Sequence, residues 1–457
     1  AFLLYRFKET LKSEDILIIS PNRVFGDYIG NVLPELGEER VVEIGMETLA
    51  SELLDGKVQF QTFFEQTVLL LEKDDAALKA RIVAKASVDF LKQIDAYLDH
   101  LEARSFVAAQ WQTGARIVPA WHFEETWAKL RGLPLKQRMA ELLAATEHKI
   151  FQHYKLELQA KEKRELKQAI AAMVRQIGVR AAYKGLFDWI GKPDLFKAAG
   201  AKLEYGDVFP LIYLKMSLEG VDNPRAGVKH LLIDEMQDYS PVQYAVIGKL
   251  FPCRKTILGD ATQSVSPYGA STSEQIQTVL RAPAPMKLTK SYRSTWEIMQ
   301  FALTIVPNAD LEPMPRHGEP PEVRTCGSAQ EMLDMLVQEA AAFERSDHLT
   351  LALIAKTQRQ AEALHKGLSV AGLQPRLLAP ESIGYGAGLI VCSAHMAKGL
   401  EFDRVIVADA SAQNYQTQMD RNLLYVGATR AMHRLTFLAV GKASGWLPEA
   451  PDSSARA

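Results

Sequence analysis

The chain has 457 residues, 47% apolar and 24% charged, with a net charge of −2, an ordinary globular balance with room for two to four domains. No run approaches the ~18 apolar residues of a membrane helix, and residues 1–6, AFLLYR, lack the basic n-region of a signal peptide, so no membrane partner is expected. Cys253, Cys326 and Cys392 are far apart and offer neither a zinc spacing nor a disulfide framework, which suits a reducing cytoplasm.

Residues 16–20, ILIIS, form an apolar run closed by Pro21 and Asn22, which predicts a strand buried on both faces and then a loop. From about 46 to 204 helical spacing takes over. Phe90, Ile94, Leu98 and Leu101 mark one face, and 136–176, rich in Lys, Glu, Gln and Ala, reads as helix. Few strand signals interrupt this region, so it is predicted to be a helical insertion. Residues 149–180 carry eight Lys/Arg against three Glu. That excess reads as a basic patch or, more plainly, as a solvated helix face with pairs such as Glu157–Lys161. The apolar run 228–233, VKHLLI, predicts another buried strand. A helix follows with a clear start: Ser240 as N-cap, Pro241 in the first turn and Gln243 closing a capping box. Residues 256–258 read as a third strand. After 294 a second α/β block begins, with strands predicted at 351–354, 389–391 and 404–407. The Pro-rich stretch 312–321 reads as a loop or boundary, and the polar residues from about 442 are expected to fray.

The chemistry concentrates first at 231–238, LLIDEMQD. Two acidic residues close a buried strand, where α/β sheets gather their ligands. Phosphoryl transfer needs a carboxylate to hold Mg²⁺ and a group to position the attacking water. Asp234 suits the first role and Glu235 the second, although alone the pair reads equally as an acidic loop ending a strand. Four further segments follow in order: 259–264 GDATQS, 291–294 SYRS, 397–402 AKGLEF and 424–431 LYVGATRA.

In this order the five segments resemble motifs II to VI of the UvrD/Rep superfamily 1 helicases, over residues 1–45 and roughly 205–440. The resemblance implies an α/β fold of two RecA-like P-loop NTPase domains, with helices on both faces of parallel sheets. Residues 1–45 plus 205–290 would form the first domain, without its phosphate loop, and 46–204 a helical insertion in it. Residues 291–445 would form the second domain, without a large insertion of its own, and 446–457 a flexible tail. ATP and Mg²⁺ are the implied cofactors, with ATP between the domains. Asp234 would take the Mg²⁺, Glu235 the water, Gln263 the γ-phosphate and Tyr292 the adenine. Arg293 and Arg430 would reach the phosphates from the second domain, and Gly399 and Glu401 would face the nucleotide from motif V. Guanidinium suits that role because it stays charged and binds phosphate oxygens bidentately, and an arginine supplied across a cleft couples closure to hydrolysis. Outside that context Arg293 would read as a surface ion pair and Tyr292 as core. Asn22, Tyr268, Ser393 and His395 are the implied nucleic-acid positions. Stacking of a base on Tyr268 would be worth about 1–3 kcal/mol, while His395 reads equally as a buried, hydrogen-bonded histidine.

Within the family, residues 16–37 and 205–214, YGDVFPLIYL, resemble the HelD group of bacterial RNA polymerase-associated helicase-like ATPases. That likeness implies core RNA polymerase as partner, cleared from stalled or inactive complexes in the bacterial cytoplasm at the expense of ATP. DNA or RNA contact is left open, and a monomer suffices. It also implies arms that enter the polymerase channels, one of them a coiled coil before residue 1 and another at the insertion 46–204. No G-x-x-x-x-G-K-[ST] occurs, and the glycines at 384, 386 and 388 lack the following Lys. The amide cradle, its Lys and its hydroxyl are therefore missing. The family places that loop immediately before a helix resembling 1–7, so this chain alone is expected to be nearly inert toward ATP. Motif III is one residue shorter than usual and carries Tyr268 in place of Trp. Only 94 residues separate Ser294 from Leu389, which leaves no room for the large 2B subdomain of the processive helicases and favours a translating or prying motor. The alternatives are a 3′–5′ helicase or translocase on single-stranded DNA, with steep salt dependence, and a non-catalytic scaffold, against which Asp234, Glu235, Arg293 and Arg430 speak.

Overall fold

Two parallel sheets organise the computed structural model, which describes residues 2–7, 9–20, 40–73, 75–175, 177–197, 202–265, 268–380, 382 and 386–448. The first sheet takes β1 (Ile16–Ser20) and β2 (Val42–Gly45) from one end of the chain. A short antiparallel pair, β3 (Trp111–Thr113) and β4 (Arg116–Val118), lies inside the insertion. β5 (His230–Ile233) and β6 (Arg254–Ile257) complete the first sheet in the order β2-β1-β5-β6, every pairing parallel. β7 (Lys290–Ser291) and β8 (Glu312–Pro313) form a two-stranded patch. The second sheet uses β9 (Glu322–Cys326), β10 (Thr350–Ala355), β11 (Arg376–Leu377), β12 (Gly388–Ser393), β13 (Phe402–Val407) and β14 (Ala431–Val440). Its order is β11-β12-β10-β13-β14-β9, again parallel throughout.

Parallel strands need crossover connections, and these cover the sheets. The apolar runs of β1 and β5 therefore bury Leu17, Ile19, Leu231 and Ile233 in one core with the helix Tyr205–Leu218. The runs of β10, β12 and β13 enter the cores of the second lobe. The helix Pro241–Leu250 starts as its sequence predicts. Ser240 Oγ accepts from Gln243 N, and Gln243 Oε1 accepts from Ser240 N at 2.7 Å.

The insertion has two parts. The helices Met46–Leu53, Phe63–Glu72, Ala76–Lys85 and Val88–Ala103 pack close to the sheets. Residues 106–174 stand apart around a core of their own, with Phe123, Leu142 and Leu166 fully buried among the helices Ala120–Lys129, Leu135–Tyr154 and Ala160–Met173. The chain enters and leaves this arm at one place: Phe106 bridges Val174, Val107 N donates to Met173 O at 2.9 Å, and Arg175 N donates to Ser105 O at 2.7 Å.

Several expectations need correction. The single helix expected over 136–176 breaks at Lys155, which takes a left-handed φ of 56°. Glu157 thus falls in the connecting loop and forms no helical pair with Lys161; Lys161 pairs with Glu165 at 4.0 Å and Lys163 with Glu147 at 3.4 Å instead, while Arg116 takes Glu162 at 3.0 Å. The insertion contains the β3–β4 pair. The third strand is β6, and Leu258 lies past its end. The start of the tail expected to be flexible over 446–457 is packed: Leu447 is buried and Arg421 stacks on Trp446 at 4.8 Å; residues 449–457 lie outside the described set. Among the described residues, no separate subdomain interrupts the second lobe between Ser294 and Leu389: the helices Trp296–Ile305, Ala329–Glu344 and Gln358–Val370 pack on its sheet or beside it. Among the described residues, no helix is long and apolar enough to cross a membrane.

Candidate active site

β5 ends at Ile233, and Asp234 N continues its ladder to Ile19 O at 3.0 Å. The next residue turns sharply: Glu235 has φ 52°, a left-handed conformation that costs a non-glycine residue about 1–2 kcal/mol. The turn is held against the end of β6, where Met236 N donates to Leu258 O at 2.8 Å and Asp260 N donates to Gln237 Oε1 at 3.1 Å. Gly259 makes this approach possible, since a Cβ there would sit 2.4 Å from Gln237 Oε1 and 2.5 Å from Met236 N. Gln237 Nε2 in turn donates to Glu235 Oε2 at 2.5 Å.

Carboxylates crowd this corner. Burial, then the neighbouring Glu235, push the Asp234 carboxyl up to about 6. Burial pushes Asp238 up to about 6 as well, against the pull of Lys398. Lys398 arrives from the second lobe and pairs with Asp238 Oδ1 at 2.6 Å and with Glu235 Oε2 at 3.4 Å. Among the described residues no three His, Cys, Asp or Glu side chains form a protein-only metal cage. Mg²⁺ usually takes one or two carboxylates and the substrate's phosphates. The Asp234–Glu235 pair, short of compensating charge, therefore fits a cation that arrives with a nucleotide.

The facing wall belongs to the second lobe. Arg293 Nε donates to Glu401 Oε1 at 2.6 Å. Arg430 is fully buried, and it donates to Val426 O at 3.2 Å, Leu400 O at 3.3 Å and, across the lobes, Gln263 Oε1 at 2.5 Å. Burial first and then Arg293 pull its guanidinium down to about 10, still charged at neutral pH. Gln263 is steered from its own side by Asp260, whose Oδ2 accepts from Nε2 at 3.0 Å. Arg293, Glu401, Gln263 and Asp260 line a cleft of about 450 Å³ with Tyr292 and Tyr425. Tyr292 is 67% exposed at the rim, so it is free of the core packing its side chain could have taken.

The structure thus brings Gln263, Tyr292, Arg293 and Glu401 into one cleft, with Arg430 behind it and Asp234 and Glu235 beside it. Gly399 is not among the residues lining this cleft; its φ of 82° makes the turn that sets Lys398 and Glu401 on its two sides. The nucleic-acid positions fare differently. Asn22 lies outside the described residues. Ser393 is buried and caps the short helix Ala394–Ala397 by accepting from Met396 N, so it does not face outward. His395 lies between Phe63 and Phe64, at ring-centroid distances of 5.5 and 5.7 Å. Its burial, as the structural reading expected, pushes it down to about 4, and its buried Nδ1 has no hydrogen-bond partner. Tyr268 packs against Leu70, Leu78 and Ile82. Sequence reasoning missed Lys398, Asp238 and Asp260 as site residues, although each sits within a quoted motif.

Residues 38–282 match the UvrD/REP helicase N-terminal domain, and residues 388–438 match the UvrD-like helicase C-terminal domain. The chain belongs to the UvrD/Rep helicase family. Its two parallel sheets are the RecA-like folds of a superfamily 1 helicase-like motor, and the family works with ATP and Mg²⁺. The chain is similar to the ATP-dependent DNA helicase srs2 of Schizosaccharomyces pombe, at 35% identity over 88 residues; the match spans 18% of this chain and 10% of the relative's length. It is also similar to the crystallised C-terminal domain of a possible DNA helicase from Lactobacillus plantarum WCFS1, at 37% identity. That match covers 36% of this chain and 96% of the other, with a TM-score of 0.30.

Proposed function

We propose that the chain is the working part of an ATP-driven motor in which hydrolysis is tied to closure of the two lobes. One observation carries this reading. Gln263 of the first lobe and Arg293 of the second line one cleft, Arg430 buried behind it donates across the lobes to Gln263 at 2.5 Å, and Glu235 lies beside them. Asp234 would hold Mg²⁺ together with the phosphates, and Glu235 would orient the attacking water. The arginines would neutralise charge that develops on the phosphates only when the lobes are together. Tyr292 offers an exposed ring for the base. None of the 457 residues supplies a phosphate loop, so the chain by itself is nearly inert toward ATP.

The substrate in this reading is RNA polymerase in the bacterial cytoplasm, as in the HelD group, and the chain works as a monomer. The arm of residues 106–174 supports it: a unit with its own core, joined at its paired entry and exit and by ion pairs such as Arg138–Glu102, can reach into a partner, and its surface exposes Val107, Trp121, Phe151 and Leu156. The second lobe also lacks room for a strand-separating subdomain. The second reading, 3′–5′ translocation on single-stranded DNA, is favoured by family membership and by the likeness to srs2. Capture of core RNA polymerase at moderate salt, by the chain and by a form lacking 106–174, tests the choice. Stoichiometric capture that disappears with the arm is expected. No capture, together with tight, salt-dependent binding of single-stranded DNA, would establish the second reading.

A further inference from the structure

Where the arm joins the first lobe, the two enclose a cavity of about 340 Å³. Its apolar walls are Leu98 and Leu101 of the helix Val88–Ala103, Leu133 and Leu135 at the arm's base, and Leu218. A concave site of this size, mostly apolar and with a few polar groups, is the usual form of a small-molecule pocket. Its charged groups decide what it takes.

Three carboxylates on the wall are already engaged. Asp95 Oδ1 accepts from Tyr213 Oη at 2.8 Å, Asp99 pairs with Arg131 at 3.0 Å, and Glu102 pairs with Arg138 at 2.9 Å. Arg138 is spent as well, since it also donates to Trp127 O at 3.0 Å. Two further cations, Lys249 and Arg175, line the cavity, and among the described residues neither has a carboxylate in ion-pair contact. Lys249 Nζ sits 3.8 Å from the centre of the Tyr213 ring and donates to Ser217 Oγ at 3.3 Å. The protein around it strips water from the ammonium and holds its pKa below the ordinary lysine value, against the pull of Asp95, although the residue stays open to solvent. Arg175 is fixed through its backbone, whose N donates to Ser105 O at 2.7 Å, and the residue is exposed.

We propose that this cavity is a second ligand site, apart from the cleft between the lobes, for a phosphate monoester carried on a small ring or apolar body. A guanidinium fork and an ammonium together supply two positive charges, which match a phosphate dianion; a carboxylate needs only one of them. The leucines cover the body. One wall belongs to the arm and the other to the first lobe, so what binds here touches both. The site shares no residue with the cleft that holds Gln263 and Arg293, and the inference is independent of ATP hydrolysis and of what the arm binds.

The chemical probe is pyridoxal 5′-phosphate, which joins a phosphate monoester to a small ring and an aldehyde. With its phosphate on Arg175, the neutral amine of Lys249 attacks the aldehyde carbon, water leaves, and the imine that forms is reduced by borohydride to a stable secondary amine. Peptide mapping after substoichiometric labelling reads the yield at each lysine. Lys249 is expected to carry most of the label. Pyridoxine 5′-phosphate in excess, which has no aldehyde, should cut that label about tenfold, and Arg175→Gln should do the same, the loss expected for one charged hydrogen-bonding partner. Pyridoxine, without the phosphate, should leave the label unchanged. Label spread evenly over the surface lysines overturns the site, and so does equal protection by pyridoxine and its phosphate; both readouts use the unaltered chain. A variant that circular dichroism shows to be folded, and that labels at Lys249 as the parent does, overturns it as well.

Discussion

Burial and Glu235 together push the Asp234 carboxyl from an ordinary 3.8 up to about 6. Between those values the folded chain holds a proton that the unfolded chain has released. The contribution of Asp234 to stability is therefore present at low pH and is lost as pH rises through about 6. Above that point the folded protein carries a half-buried charge beside like charge. Asp234→Asn removes it, so the variant is expected to melt at a higher temperature than the parent at pH 8 and to show no gain at pH 4. Thermal shift at the two pH values checks this; no gain at pH 8 would mean that Lys398 already neutralises the corner. Arg430 is a different kind of site residue. Its bonds to two backbone carbonyls make it structural as well as a partner of Gln263 across the lobes, so its loss cannot be read as a loss of chemistry alone. Arg293, paired with Glu401 at the cleft, is the cleaner probe.

At the scale of elements, the arm should behave as its own unit, because its apolar core is its own and its ties to the rest are the paired entry and exit and the pairs Arg138–Glu102 and Arg131–Asp99. Leu142 is fully buried in that core, and Leu142→Ala should cost about 2–5 kcal/mol. Calorimetry is expected to show one transition moving to lower temperature while the rest of the protein holds. A single transition shifting as a whole would show that arm and lobes unfold together. The sequence made β1, β5, β10, β12 and β13 legible because strands buried on both faces are near-continuous apolar runs. It hid β2, whose VEIG is half polar, and β9, an edge strand reading EVRTC. β14 was concealed behind its own motif, since His433 and Arg434 interrupt its first half. The helix break at Lys155 has no local signal, because nothing in the residue favours a left-handed φ. In the site, Asp234, Glu235, Gln263, Arg293 and Arg430 were legible as motif residues. Their partners were not: Lys398 and Asp238 are 160 residues apart, and no local pattern reports such a pairing. The covering of Tyr268, Ser393 and His395 escaped notice for the same reason.

Across the whole molecule the lobes are drawn together at several points. Asn422 donates to Ser264 O at 3.0 Å, Arg430 to Gln263 at 2.5 Å, and Lys398 pairs with Asp238 at 2.6 Å. These contacts bring Glu235, Gln263, Arg293 and Arg430 close together only while the lobes are closed, which is how the proposed motor would convert turnover into movement. The most direct test is steady-state ATP turnover of Glu235→Gln, in a protein that joins this chain to a phosphate loop. Nucleotide binding should match the parent while turnover falls by about 10²–10⁴-fold, the usual loss for a group that handles the water's proton. Near-normal turnover in that variant would contradict the account, because Glu235 would then be only the acidic end of a strand.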